Sequence, residues 1–228
     1  MTPWQCIVSE PATGKQNMAV DLESFRNFKV PTIRIYSWSN KCLSVGYAQK
    51  VDELIDVSKA KREGWEIVKR PTGGGIVFHN QAEVTFSVVA GLDDLPEGLI
   101  PSYYKISEAV VLGLRNIGME VEINEKKVES GARNTGMCFA YPAEYELVCQ
   151  GKKIVGSAQK RNKKALLQQG SIFVRNPGPE VLKLLKNPGE DLNAISVEEV
   201  LGRGVSFDEM AQALMSGFAR VLYVDFGT

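Results

Sequence analysis

A chain of 228 residues, 44% hydrophobic and 24% charged, is long enough to bury a core and reads as one domain. Its 27 basic and 27 acidic residues cancel, so whole-molecule attraction to nucleic acid is not expected and recognition must be local. No stretch approaches the roughly 18 uncharged apolar residues of a membrane span, and "MTPWQCIVSEP" lacks the basic-then-apolar order of a secretion signal, so a cytoplasmic location is expected.

In chain order, "NMAVDLESF" sets Met18, Leu22 and Phe25 on one helical face, and "VDELIDVSKA" does the same with Val51, Leu54 and Ile55. The β-rich runs "TIRIYSW", "WEIVKR", "GIVFH" and "EVTFSVVA" read as strands, the last two close enough to pair as a hairpin or as neighbours. A long helix follows in "PSYYKISEAVVLGLRNIG", where Ile106, Val110, Leu114 and Ile117 keep helical spacing and Gly118 suits the C-terminal cap. The polar stretch 124–137 carries no period and reads as a mobile, functional loop. After it come a strand, a Gln150-Gly151 turn and a second strand through "GKKIVGSAQK", then a further strand in "LLQQGSIFV". A break near residue 186 precedes a helical tail. There Ser206 and Glu209 fit a capping box ahead of a stripe of Met210, Leu214, Phe218 and Leu222. The sum is an α+β fold, a mixed, largely antiparallel sheet flanked by helices in one domain spanning 1–228, with about 186–228 forming a small helical C-terminal element.

Candidate chemistry is sparse. The four cysteines, at 6, 42, 138 and 149, include no CxxC pair, and the single histidine, His79, cannot complete a Cys/His zinc set, so no metal is expected. In "RPTGGGIVFHN", Gly73, Gly74 and Gly75 run into a β-branched stretch rather than a helix, which argues against a phosphate-binding loop. Two readings stay open: a turn between strands, or a backbone wall approached by a ligand with Arg70 supplying charge. Cys138, ending the polar loop, is placed to be accessible, whereas Cys149 alternates with Leu147 in a strand and reads as a packed thiol.

Three segments together resemble the biotin and lipoate protein ligase superfamily, in its lipoate-ligase and octanoyltransferase branch. They are "RPTGGGIVFHNQAEVTFSV", "GKKIVGSAQKR" and "LLQQGSIFV"; "NMAVD" and "IRIYSW...LSVGYAQ" also fit, so the resemblance runs from about residue 4 to 175. Within the branch, "MCFAYPAEYELVCQGKKIVGSAQKR" is similar to the cysteine-dependent octanoyltransferases. The resemblance implies Cys138 as the residue that forms an acyl thioester and Lys153 as the signature lysine, both catalytic. It also implies substrate binding by Arg70, the glycines 73–75, His79, Gly156, Ser157, Ala158 and Gln169, the triple glycine lining an acyl tunnel. Two positions depart from the pattern, His79-Asn80 for the usual His-Asp and Gln169 for a usual His.

The implied activity moves an octanoyl group from acyl carrier protein through the Cys138 thioester to a lysine of a lipoyl-accepting protein, such as glycine cleavage H protein or a 2-oxoacid dehydrogenase E2, without cofactor. Two alternatives remain open here: an ATP- and Mg-dependent lipoate-protein ligase, and a non-catalytic acyl-binding subunit of a split ligase. Many ligases carry an added C-terminal domain for which a chain ending at Thr228 has little room. Because acyl carrier proteins are acidic, the six basic residues of "KKIVGSAQKRNKK" are an expected docking patch.

Overall fold

The computed structural model describes residues 3–125, 145–187 and 192–226. Strand β1 (Gln5–Val8) is followed by helix α1 (Gly14–Arg26), which starts at a capping box formed by Thr13 and Gln16. Next come β2 (Thr32–Tyr36), β3 (Cys42–Val45), the short helices α2 (Val51–Leu54) and α3 (Val57–Arg62), β4 (Glu66–Lys69), β5 (Val77–His79) and β6 (Val84–Gly91). Helix α4 (Leu99–Asn116) leads to β7 (Glu122–Ile123), β8 (Leu147–Cys149), β9 (Lys152–Arg161) and β10 (Ala165–Ile172). A 3₁₀ turn (Pro179–Leu184), α5 (Val197–Leu201) and α6 (Phe207–Leu222) close the described chain.

Seven strands form one sheet in the order β1-β2-β6-β10-β9-β8-β7, antiparallel throughout except for the β1–β2 pair. The other three, in the order β4-β3-β5, form a small sheet with a parallel β3–β4 pair. The hairpin expected from "GIVFH" and "EVTFSVVA" does not form. Strand β6 is buried along its whole length and has β2 on one edge and β10 on the other, so no edge is left for β5, which pairs with β3 instead. An Asx turn makes the crossing between sheets: Ala82 N donates to Asn80 Oδ1 at 2.8 Å and Glu83 N to Asn80 O at 3.1 Å. The Gln150-Gly151 turn, by contrast, forms as read, with φ of 52° and 73° that fit the tight hairpin between β8 and β9.

Alternation along the strands sorts the seven-stranded sheet into two unlike faces. Ile33, Ile35, Phe86, Val88 and Leu166 point toward α4 and α6, where Val110, Leu114, Leu214 and Phe218 complete the main core. The two helices touch backbone to backbone. A Cβ on Gly217 would lie 2.2 Å from Ala109 O, and one on Gly113 2.8 Å from Ala213 O. The tail helix is therefore packed into the main core. Its Ser206 cap accepts from Glu209 N at 3.1 Å, but the Glu209 carboxylate pairs with Arg203 at 2.6 Å instead of returning to the cap. The opposite face of the sheet, covered by α1, carries the site.

Candidate functional site

On the α1 side, the residues that alternate with the core are polar: Arg34, Tyr36, Thr85, Ser87, Gln169 and Ser171 are all buried. Asp21 on α1 collects four of their donors: Arg34 Nη1 at 3.0 Å, Tyr36 Oη at 2.9 Å, Ser87 Oγ at 2.8 Å and Gln169 Nε2 at 2.7 Å. Burial, and then the Asp21 charge, hold the Tyr36 phenol well above its ordinary pKa, so it remains a donor. Gln169 also accepts from Thr72 Oγ1 at 2.8 Å and thereby ties the network to the glycine loop.

Arg70 holds that loop from within. Its Nε donates to Gly73 O at 3.1 Å, Nη2 to Gly73 O at 2.7 Å and Gly75 O at 2.6 Å, and Nη1 to Ser44 O at 3.0 Å and Ser44 Oγ at 3.1 Å. All five N–H directions of the guanidinium are thus aimed at protein oxygens. Gly74 takes φ +86°, and its carbonyl would lie 2.0 Å from a Cβ on Gly46, so a glycine of the preceding "SVGY" segment makes room for the loop.

Beyond Arg70 the polar contacts continue as a chain. Ser44 Oγ, accepting from Arg70, lies 2.7 Å from His79 Nε2, and His79 Nδ1 lies 2.6 Å from Glu83 Oε1. The ring stacks on Trp38 with centroids 3.8 Å apart. The Ser-His-Glu order resembles that of hydrolytic triads, yet Ser44 is buried and its oxygen already faces an Arg70 N–H, which suits a positioning chain rather than a nucleophile.

Between this chain and the Asp21 network lies a cavity of about 30 Å³. Arg70, His79, Gly156, Ser157, Ala158 and Gln169 are among its walls; the three glycines are not, standing beside it behind Arg70. The Ser157 hydroxyl bonds Tyr103 Oη on α4 at 2.7 Å. Ser171 Oγ, in the cavity wall, has no partner among the described residues. That cavity is too small for a chain of several methylenes, so a hydrocarbon tail must displace side chains to enter. A wider groove of about 870 Å³ along α4, β7 and the end of α6 carries none of the motif residues.

Lys153 is fully buried on β9, with Nζ 2.5 Å from Glu146 Oε1, so one of its three N–H donors serves a buried ion pair. Cys138 lies outside the described residues. The other three cysteines have thiol pKa values shifted upward. Burial pushes the Cys6 thiol up to about 11; Cys42 is raised by burial and then by Glu66 and Glu83, and Cys149 by burial and then by Glu120 and Glu122. Among the described residues no cluster of three or more His, Cys, Asp or Glu side chains could hold a metal, and no helix is long and apolar enough to cross a membrane. Sequence reasoning missed Ser44, Asp21, Glu83 and Glu146. Asp21 was detectable as a carboxylate four residues from Asn17 on the face that also holds Met18 and Phe25; Glu146 had no comparable signal.

The chain is similar to known proteins in sequence and in fold. Residues 13–219 match the family described as the lipoyl protein ligase A/B catalytic domain. The protein named octanoyltransferase LipM of Moorella thermoacetica is 38% identical over 96% of this chain and 85% of its own length, and that of Carboxydothermus hydrogenoformans 35% over 99% and 89%. A crystal structure of lipoate-protein ligase A bound with ATP superposes with a TM-score of 0.84 at 25% identity, covering 99% of this chain and 87% of its own. A biotin protein ligase from Aquifex aeolicus, at 14% identity and a TM-score of 0.52 over 96% of this chain and 70% of its own, shares the fold. With the family profile over most of its length and relatives above 30% identity over nearly all of it, the chain belongs to the lipoyl protein ligase A/B catalytic-domain family.

Proposed function

We propose that this octanoyltransferase works through a thioester on Cys138, as one catalytic domain that needs no nucleotide or metal. The observation that carries this reading is the likeness over nearly the whole chain to proteins named octanoyltransferase LipM, at 35–38% identity, together with the "MCF" segment that gives Cys138 the place of the acyl-carrying cysteine in the resembling transferases. In the first step the Cys138 thiolate attacks the carbonyl of an octanoyl thioester on acyl carrier protein. A new C–S bond forms, the old one breaks, and the donor's thiolate leaves and takes up a proton. In the second, the neutral amine of a lysine on a lipoyl-accepting protein, such as glycine cleavage H protein or an E2 lipoyl domain, attacks the acyl enzyme. The amide forms, the amine loses a proton to solvent, and the Cys138 thiolate returns.

Lys153 serves the carbonyl oxygen as negative charge develops there. Its buried pairing with Glu146 keeps the ammonium in place until substrate arrives. Arg70, His79, Gly156, Ser157, Ala158 and Gln169 shape the space for the acyl tail, whose methylenes gain about 0.8 kcal/mol each on burial. The glycines 73–75 act one step removed, as the loop that Arg70 fixes beside that space.

The ATP-dependent alternative draws on the likeness to the ATP-bound ligase at 25% identity, below that of the octanoyltransferase relatives. Transfer from octanoyl-carrier protein to a lipoyl domain, measured without ATP, separates the two. Cys138→Ser should abolish it and Cys149→Ser should leave it intact. Pyrophosphate release from octanoate and ATP that survives Cys138→Ser would establish the adenylating route instead.

A further inference from the structure

Strand β9 carries the signature lysine on a face that strict alternation would not give it. Leu147 of β8 pairs with Val155, and the next residue, Val148, pairs with Lys153, so Ile154 is an extra residue on β9, a β-bulge. Ile154 and Val155 both point into the main core. Lys153 is thereby turned to the opposite face, the one that carries the cavity, where Glu146, alternating with the core residue Leu147, meets it. The backbone of the lysine is fixed as well: its N–H donates to Asn193 O at 3.1 Å and its carbonyl accepts from Ile195 N at 2.9 Å. Of the six basic residues expected to form one patch over 152–164, Lys153 is therefore internal, and Arg161 turns to α4, donating to Gly98 O at 2.7 Å and Ser102 Oγ at 2.9 Å.

The bulge makes Lys153 and Gly156 successive positions on the cavity face of β9. Gly156 has no side chain, and opposite it on β10 stands Ser171. The cavity wall on β9 runs from Gly156 to Ala158, so Lys153 and Ser171 flank bare backbone at the lysine end of the cavity. Ser171 is buried in that wall, and its hydroxyl has no partner among the described residues. The other hydroxyls of the wall are engaged: Tyr36 with Asp21, Ser44 with Arg70 and His79, Thr85 with Glu83 and Trp38, and Ser157 with Tyr103. Burying a hydroxyl unpaired costs stability, and here it keeps one uncommitted donor beside the lysine.

We propose that Ser171 is a catalytic residue, donating its hydroxyl hydrogen to the carbonyl oxygen of the acyl thioester, which lies over Gly156 between Ser171 and Lys153. The inference rests on the reading of the chain as a transferase from a carrier-linked thioester. When the enzyme's thiolate attacks, the carbonyl π pair moves onto oxygen, and the resulting alkoxide accepts from Lys153 Nζ and Ser171 Oγ. When the bond to the donor's sulfur breaks, that pair re-forms the carbonyl and both hydrogens stay on their donors. The second step uses the same contacts, because the amine adds to the same carbon. The acyl tail runs away from Lys153, past Ala158 and Gln169.

The test is single-turnover acylation of the full chain by octanoyl-pantetheine, followed by intact mass over a range of thioester concentrations, for the wild type, Ser171→Ala and Ser171→Thr. Ser171→Ala should lower the saturated rate by about tenfold to a hundredfold and leave the half-saturating concentration within about twofold. Its urea midpoint should be no lower than that of the wild type, because the deleted hydroxyl has no protein partner to lose. Ser171→Thr, which keeps the hydroxyl, should recover most of the rate. An unchanged saturated rate in Ser171→Ala overturns the proposal. So does a fall matched by loss of folded protein, which would make the residue structural, or a raised half-saturating concentration at full rate, which would set the hydroxyl against the tail. A threonine variant as slow as the alanine, or an octanoyl ester on Ser171 itself, overturns it too. A wild type that takes up no octanoyl group removes the transferase reading and the proposal together, whereas an acylated wild type matched in rate by Ser171→Ala removes the proposal alone.

Discussion

The two faces of the seven-stranded sheet are built from the same strands and hold the molecule together by different physics. On the α4 and α6 side, Ile35, Phe86 and Leu166 meet Leu114, Leu214 and Phe218 in a non-directional contact that scales with area. On the α1 side, at positions that alternate with the core, Arg34, Ser87 and Gln169 meet Asp21 through hydrogen bonds that share the same carboxylate. The first face tolerates partial loss. The second fails together, because removing its acceptor strands a buried cation and three polar donors at once. That difference explains why the cavity lies where it does: only the polar face offers fixed directions on which a site can be built.

Variants on the two faces should therefore behave differently. Asp21→Ala is expected to cost about 3–5 kcal/mol of stability in urea unfolding, since it leaves Arg34 charged and buried, and to reduce acyl transfer by the protein that remains folded. Leu214→Ala should cost about 2–5 kcal/mol with the activity per folded molecule unchanged. Loss of transfer beyond the loss of folded protein in Leu214→Ala would break the separation of the faces.

Tyr36→Phe sharpens it further. Losing the hydrogen bond to a charged acceptor should cost about 2 kcal/mol at neutral pH. In the wild type the folded-state pKa of Tyr36 is raised, so the stability this contributes is complete below the unfolded value of about 10 and is lost as pH rises toward the folded value. The variant's stability should accordingly decline less between pH 9 and 11, read as the urea midpoint against pH. Smallest is Ser206→Ala, at the α6 cap. With the Glu209 carboxylate engaged by Arg203, only the single bond from Glu209 N is at stake, and about 1 kcal/mol is expected; a loss well above that would mean the cap also anchors the core.

The apolar face was legible in the sequence because period is a local property. Ile106, Val110 and Leu114 announce a helix, and Met210, Leu214 and Phe218 announce its partner, without knowledge of which strands they cover. Pairing was less legible. Strands β5 and β6 are adjacent in sequence yet belong to different sheets, a choice made by which edges β2 and β10 already occupy. Of the site, the motif residues could be named, but their neighbours could not. Arg70 reads as a ligand-facing charge until the carbonyls of Gly73 and Gly75 are seen around it, and Gln169 reads as a departure until Thr72 and Asp21 are seen on either side. Such partners lie up to 148 positions apart, beyond the reach of any periodic pattern.

The central claim is that Cys138 alone among the cysteines carries the acyl group. Its most direct test is intact-mass and peptide-mass analysis after a single ATP-free exposure to octanoyl-carrier protein. One hydroxylamine-sensitive octanoyl adduct on the peptide containing Cys138 is expected, absent from Cys138→Ser and retained in Cys149→Ser. An adduct on Cys6, Cys42 or Cys149, or none at all from a donor that is consumed, would contradict the account.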